Sequence, residues 1–312
     1  MKDTNQEFPL VSIIMATYNR ANTIERAINS VLKQSYTNIE LIIVDDGSID
    51  NTLKILDRFH DSRIRIFRHE KNKGVCAAKN TGLSNIKGDW FTTFDSDDEM
   101  IPEAIETMIN IPLSFDKSIT AVTCNGLDTS ENNYAGKGLT KDQYLDIDTL
   151  MTSYEGDFWG LTKTSLLMND RFNENISGLE SVLWYKIDER AKRYYIHKQL
   201  LIVHTEGKDR ISNTKYDFNK EIKFYTNLVD EVHYLNKIKR YFPDYFTSIC
   251  RSGLIVTRVN QNMNIATKYY EYLNNYKESI INKLIYNYWL VAILMNKIQI
   301  VGLLIKPYIK AF

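Results

Sequence analysis

The sequence predicts an α/β fold, a mostly parallel sheet flanked by helices and followed by a helical C-terminal region. Three observations carry that reading. From Val11 to about Thr123, short β-branched runs alternate with segments of helical period, the pattern of βαβ units. Leu41-Ile42-Ile43-Val44 is too uniformly apolar for a sheet with one wet face, so it predicts a strand buried on both sides. From about Tyr216 to the end the pattern turns helical and rich in Lys, Asn, Tyr and Ile.

Each element has its own signal. Val11-Ser12-Ile13-Ile14-Met15-Ala16 is the first strand. Thr23 to Gln34 places Ile24, Ala27, Ile28, Val31 and Leu32 on one stripe, with Asn22 as N-cap. After the second strand, Asp50 or Asn51 caps a helix with an apolar stripe of Leu53, Leu56 and Phe59. A third strand, Ile64 to His69, leads into a small-residue helix from Gly74 to Ile86. Gly88 breaks the chain before Trp90-Phe91-Thr92-Thr93-Phe94. Asn125 to Gly138 reads as a long polar loop, and such loops in compact domains tend to be functional. Phe158 to Thr162, a helix from Glu180 to Arg193 and a strand from Tyr194 to His204 follow.

The composition bounds the function. The chain has 312 residues, 44% hydrophobic and 25% charged, which excludes disorder as its main state. Lys and Arg number 39, and so do Asp and Glu, so no global basic field is present to hold a nucleic acid. Cys76, Cys124 and Cys250 are widely separated and form no CxxC pair, which fits a reducing compartment. The N-terminus lacks the basic start and apolar stretch of a secretory signal, and the apolar run Leu284 to Met295 is shorter than the roughly 20 residues of a spanning helix. A cytoplasmic protein is expected.

In an open parallel sheet, ligands bind outside the carboxyl ends of the strands. The first strand ends in Thr17-Tyr18-Asn19-Arg20, the second in Asp45-Asp46-Gly47-Ser48, and the fourth in Asp95-Ser96-Asp97-Asp98. An isolated Asp-Asp-Gly-Ser reads first as a turn and helix cap. The second acidic cluster changes the balance, because three carboxylates within four residues repel one another unless a divalent cation sits among them. Hard oxygen donors without a His/Cys cluster point to Mg²⁺ or Mn²⁺. There is no GxxxxGK[ST], and no GxGxxG follows the first strand, so neither phosphate-cradling loop is available. The pattern suggests a nucleotide diphosphate bridged by the cation, its base and ribose held by the first two strand ends.

Four ordered motifs then carry a resemblance. Val11 to Arg20, Gln34-Ser35-Tyr36 with Glu40 to Ser48, Asn72-Lys73-Gly74 with Ala78-Lys79-Asn80-Thr81-Gly82, and Asp95-Ser96-Asp97-Asp98 resemble the family 2 glycosyltransferases of GT-A fold. The likeness is strong over about 9–125 and looser to about 213. It implies a catalytic domain over 1–213, its donor-binding half at about 9–125 and acceptor half at about 126–213. A helical region over 214–312 follows.

Position by position, the resemblance implies that Thr17, Tyr18, Asn19 and Arg20 pack on base and ribose. It makes Asp46 the acceptor for the uracil N–H, with Asp45 as local support. Lys79 approaches the diphosphate or ribose where Arg is commoner. Asp95 and Ser96 lie at the donor, and Asp97 and Asp98 coordinate Mn²⁺ or Mg²⁺, with His204 completing the shell or contacting phosphate. Inverting transfer needs a general base. Ser181 stands where the family's usual Asp would be, so Glu180 takes over as base, or the register differs, or activity is altered. His204 opens a stretched version of the His-x-x-Gly-x-x-Ser region, in which Arg210 neutralises the leaving group. Trp159 offers a sugar-stacking face or belongs to the core.

The expected partners are a nucleotide-sugar donor, UDP-sugar favoured, and a glycan or lipid-linked acceptor in bacterial surface-polysaccharide assembly, with no nucleic acid. Lysines among tyrosines in the last third fit a peripheral membrane contact at the inner face of the plasma membrane, a homo-oligomer interface or packing on the catalytic domain. The rival readings are a noncatalytic sugar-nucleotide or glycan-binding module that lost its base, and a nucleotidyltransferase. The latter wants a triphosphate loop that 17–20 does not supply.

Overall fold

A computed structural model describes residues 8–153, 155–156, 158–176, 178–204, 217–276, 279–288 and 291–294. Its strands are β1 (Val11–Thr17), β2 (Ile39–Asp45), β3 (Ile64–Arg68), β4 (Trp90–Thr93), β5 (Glu99–Met100), β6 (Ala121–Asp128), β7 (Asn133–Tyr134), β8 (Gly136–Lys137), β9 (Gln143–Leu145), β10 (Glu155–Gly156), β11 (Phe158–Lys163) and β12 (Arg193–Val203). The α-helices are α1 (Ile24–Leu32), α2 (Thr52–Leu56), α3 (Val75–Leu83), α4 (Ala104–Asn110), α5 (Ile147–Ser153), α6 (Ser181–Asp188), α7 (Phe218–Leu228), α8 (Val232–Tyr241), α9 (Pro243–Val259), α10 (Met263–Asn274) and α11 (Ile280–Asn287). Contacts divide the chain into two compact units, Met1–Glu174 with Leu183–Lys208, and Asn175–Val182 with Asp209–Phe312.

The first unit is built on one sheet in the order β3-β2-β1-β4-β11-β6-β12-β5. β1 pairs in parallel with β2 from Val11↔Ile39 to Thr17↔Asp45, and with β4 from Val11↔Trp90 to Ile14↔Thr93. The chain therefore moves outward from β1 through β2 to β3, then returns to the other side of β1 as β4. That reversal is the switch point at which a parallel sheet opens a crevice, and it places the loops after β1, β2 and β4 together. β11 runs antiparallel to β4 and β6, while β12 is parallel to β6.

Alternation through the pleat sorts the core into two layers. Ile13, Met15, Leu41 and Ile43 face one layer with Ile24, Ile28 and Val31 of α1 and Ile105 and Met108 of α4. Ile14 and Phe91 face the other, with Leu83 of α3 and Leu183 and Ile187 of α6. Every residue of β2 is buried, as its apolar run requires. A buried network crosses the strands: the Ser12 hydroxyl donates to Glu40 at 2.6 Å, and Arg65 reaches the same carboxylate at 2.9 Å. Burial pushes Glu40 upward, but the bonds from Ser12, the Lys87 N–H and Arg65 outweigh it and leave the carboxyl below its usual range.

Two local expectations need correction. Thr23, not Asn22, is the N-cap of α1. Of the two caps expected for α2, Asn51 holds the N-cap position without a side-chain bond, while the Asp50 carboxylate accepts the Thr52 N–H at 2.9 Å. The stretch 125–138 is not one polar loop, because β6 runs on to Asp128 and β7 and β8 follow. Asn125, fully buried, pins the stretch back on itself: its amide N–H donates to the Gly136 carbonyl and its amide oxygen accepts the Gly136 N–H.

The second unit contains α7 to α11. Tyr269 is fully buried, and its hydroxyl donates to the Tyr225 carbonyl at 2.7 Å. Its ring lies where a Cβ at Gly253 would come within 2.4 Å, so glycine on α9 admits the aromatic. Arg258 and Arg251 of α9 donate to the Tyr286 carbonyl and the Asn282 amide oxygen of α11. Tyr270 and Tyr286 stack with centroids 4.4 Å apart. Much of the tyrosine excess is thus the packing of this unit.

Candidate active site

The loops after β1 and β2 are locked together before any ligand is considered. Asn19 adopts φ 53°, a left-handed conformation that Asn tolerates. Its N–H donates to Ser48 Oγ and its side-chain oxygen accepts the Ile49 N–H, both at 2.9 Å. The Arg20 N–H donates to Thr52 Oγ1, and the Asp46 N–H donates to the Thr17 carbonyl. Tyr18 is 38% exposed and presents its ring beside this scaffold.

The two aspartates of the second strand end differ in what they have left to bond. Asp46 Oδ1 accepts the Lys73 N–H at 2.9 Å and meets His69 Nδ1 at 2.6 Å, while Oδ2 accepts the Gly74 N–H at 2.7 Å. Asp45 Oδ2 accepts the Ser48 N–H and faces Arg68 at 3.8 Å, but Oδ1 is buried without a hydrogen-bond partner. Thr17 Oγ1, in register with Asp45, is likewise buried and unbonded. Asp46 is thus engaged by protein donors at both oxygens, while Asp45 keeps one buried oxygen without a hydrogen bond.

The turn after β4 brings Asp95, Asp97 and Asp98 together, each with a carboxylate oxygen within 4.8 Å of the others. Ser96 between them is buried. Cations surround the turn. Lys79 of α3, 5% exposed, lies 3.8 Å from Asp95 and over the Phe172 ring. Arg20 lies 3.8 Å from Asp97, and Arg26 of α1 donates to the Asp97 carbonyl and pairs with Glu99 at 3.4 Å. The donor set is all carboxylate, graded from open Asp95 to buried Asp98. That chemistry fits a hard divalent ion, which Asp97 and Asp98 would hold.

His204 lies beside the acidic turn. Its N–H donates to Asp98 Oδ1 at 3.0 Å, and its Nε2 lies 2.8 Å from Glu99 Oε1. Glu99 engages one of its two ring nitrogens, and the acidic groups gathered closely enough to share a cation among the described residues are Asp95, Asp97 and Asp98. Trp159 takes the second of its two expected places. It is 8% exposed, lies in the main core cluster near Phe94, and donates its indole N–H to the Thr93 carbonyl at 3.1 Å. It is a core residue, not an open stacking platform.

Glu180 immediately precedes α6, in the 175–182 segment that belongs to the second unit. Arg210 lies outside the described residues. The motifs overlook His69, Arg26 and Glu99. His69 follows β3, its N–H donating to the Asp45 carbonyl, and Arg26 lies on the polar side of α1, so topology supplies their significance.

A profile described as glycosyl transferase family 2 matches residues 12–166. The Campylobacter jejuni GalNAc(5)-diNAcBac-PP-undecaprenol beta-1,3-glucosyltransferase is 34% identical over 65% of this chain and 67% of its own. This chain is a family 2 glycosyltransferase. An Escherichia coli UDP-Glc:alpha-D-GlcNAc-diphosphoundecaprenol beta-1,3-glucosyltransferase is 47% identical over 33% of this chain and 41% of its own. The Streptococcus pneumoniae glycosyltransferase GlyG is 32% identical over 51% of this chain and 54% of its own. The chain thus spans about two thirds of one such relative and about half or less of the others. In three dimensions the family 2 chain superposes on S. aureus TarS 1-349, solved in complex with UDP-GlcNAc, with TM-score 0.63 over 92% of this chain and 91% of that one, at 16% identity. That likeness establishes the GT-A fold. The family assignment makes the protein a transferase and sets aside the nucleotidyltransferase alternative.

Proposed function

We propose that the protein transfers a sugar, with inversion, from a nucleotide-diphosphate donor to a hydroxyl of a lipid-linked or other glycan acceptor in bacterial surface-polysaccharide synthesis. A UDP-sugar is the favoured donor. The observation that carries the reading is the Asp95-Asp97-Asp98 cluster at the switch point, flanked by Lys79 and Arg20. A bound Mn²⁺ or Mg²⁺ there would neutralise the diphosphate and favour its departure. Thr17, Tyr18, Asn19 and Arg20 would line the base and ribose side. Asp45 Oδ1 and Thr17 Oγ1 are the buried atoms left to be satisfied, and a carboxylate oxygen suits the imide N–H of uracil. Lys79 and Arg20, already beside the acidic turn, would balance the negative charge of the diphosphate.

Inversion requires the acceptor hydroxyl to lose its proton as it attacks the anomeric carbon opposite the leaving diphosphate. Glu180, the carboxylate beside Ser181, is assigned that proton, and Arg210 is assigned to the leaving group. The undecaprenol-linked acceptors named for two relatives favour a lipid-linked acceptor and work at the inner face of the plasma membrane. No helix among the described residues is long and apolar enough to cross a membrane, so the contact proposed is peripheral.

Incubation with a panel of sugar nucleotides and Mn²⁺, followed by detection of slow release of free UDP, tests the donor. No turnover and no thermal shift with any donor would overturn the proposal. Glu180→Gln should abolish transfer while UDP binding persists, and unchanged turnover would remove Glu180 from the role of base.

A further inference from the structure

A buried relay stands behind the nucleotide side of the site. Asp46 Oδ1 meets His69 Nδ1 at 2.6 Å, and His69 Nε2 meets Thr81 Oγ1 at 2.9 Å. His69 is 8% exposed and the Asp46 side chain 4%. The Asp46 carboxylate already accepts two backbone N–H groups, so His69 donates to it from Nδ1, and Nε2 shares a hydrogen bond with the Thr81 hydroxyl. The order carboxylate, imidazole, hydroxyl also occurs in nucleophilic sites, but here the hydroxyl lies within α3 and the carboxylate is occupied by chain amides. The array joins three elements that bear on the donor.

The first element is the loop before α3. Asp46 accepts the N–H groups of Lys73 and Gly74, where Gly74 has φ 100°. The second is the turn at Gly47, φ 75°, where a Cβ would lie 2.7–2.9 Å from the Lys71 and Asn72 backbone. The loop is therefore seated directly on the Asp-Gly-Ser turn. The third is α3, which carries Thr81 to His69 and Lys79 to within 3.8 Å of Asp95.

We propose that His69 is a positioning residue for donor binding: through Asp46 and Thr81 it fixes the 72–74 loop and α3, and so sets where Lys79 stands beside the acidic turn. The inference rests on the donor-site reading above, and its consequence falls on affinity for the nucleotide. His69→Ala removes both bonds, while His69→Asn keeps an N–H close to the Nδ1 position. Thr81→Val removes only the far contact.

Two measurements on the full chain decide it. Amide hydrogen exchange by NMR reads Lys73 and Gly74 without reference to activity: exchange should quicken about tenfold or more in His69→Ala and return close to wild type in His69→Asn. Calorimetric titration with UDP and Mn²⁺ should show affinity falling about tenfold in His69→Ala, with His69→Asn within about threefold of wild type and Thr81→Val between them. With a sugar donor that turns over, the loss should appear in KM, with kcat changed less than about threefold. Unchanged exchange at Gly74 in folded His69→Ala, or His69→Asn behaving like His69→Ala, would overturn the proposal. So would wild-type nitrogen shifts that leave His69 Nδ1 without a proton, a test that survives if His69→Ala does not fold. A wild-type chain that binds no UDP would instead overturn the donor reading, leaving exchange and nitrogen shifts to judge the relay.

Discussion

At the residue scale, the site is governed by which carboxylates have spent their acceptors. Asp97 keeps its side chain one-third exposed between Arg20 and the rest of the turn, so removing it disturbs little packing. Asp97→Ala should lower transfer by about 100-fold or more, the scale at which electrostatic stabilisation of a leaving group operates. Its Tm should stay within about 2 °C of wild type, since surface changes are usually worth under about 0.5 kcal/mol. Turnover assays beside a thermal melt check both, and an active Asp97→Ala would remove that residue from metal binding. Asp46 behaves oppositely. Asp46→Asn puts an amide among three donors and leaves at least one unaccepted, which should cost about 2 kcal/mol, visible as a lower urea midpoint at unchanged slope. The residue types of the site were legible in the sequence because motifs name them. The division of labour between Asp45 and Asp46 was not, because it depends on amides at 73 and 74 and on a histidine 23 residues away.

At the element scale, strands and their order follow from apolar runs, while loop closures follow from single positions. Gly47 is one. It sits at φ 75°, and an added methyl would meet the Lys71 and Asn72 backbone at under 3.0 Å, so Gly47→Ala should cost about 3 kcal/mol and drag donor affinity down with it. A chemical-denaturation curve measures the first effect and nucleotide titration the second. Farther from the site, Asp116 after α4 accepts from Lys192 and Tyr144, tying β9 and β12 to that corner. The bond to Asp116, with burial second, raises the Tyr144 phenol to about 12, and Lys192 with Ser118 and Tyr144 holds Asp116 well below the usual carboxylate range. The signs differ. The tyrosine's contribution is complete below its unfolded value near 10 and fades as pH rises through about 12. The aspartate's is complete above about pH 4 and fades on acidification. An ultraviolet titration of wild type against Tyr144→Phe should lose one phenol ionising near 12, and loss of a phenol ionising near 10 would refute the contact. Period and propensity revealed β12 but neither the full β6 nor the short β7 to β9. Those short strands owe their existence to Asn125 and to neighbours remote in sequence, which no local window contains.

At the scale of the whole molecule, formal neutrality conceals a partition. Residues 214–312 hold 14 Lys and Arg against 7 Asp and Glu, and residues 1–213 hold 25 against 32. An excess of acid accompanies a site read as metal-dependent, and an excess of base accompanies the helical region. Helix α11 adds an apolar face to that base, with Ile280 79%, Ile281 51% and Leu284 41% exposed, and Tyr288 just beyond its end at 59%. Spacings of one, four and eight residues put these side chains along one side of the helix, beside Lys283. Basic residues near an anionic bilayer contribute about 1 kcal/mol each, and buried apolar side chains add to that. The full chain should therefore float with vesicles of anionic phospholipid at low ionic strength. Binding should weaken when salt rises from about 0.05 M to about 0.5 M, where the screening length falls to a few ångströms. The pair Ile280→Asp with Leu284→Asp should reduce vesicle affinity about tenfold or more while donor hydrolysis in solution continues, because those residues lie in the helical region and not in the donor half. Binding equal in wild type and double variant would assign the face to something other than lipid, and binding indifferent to salt would remove the basic excess from the account.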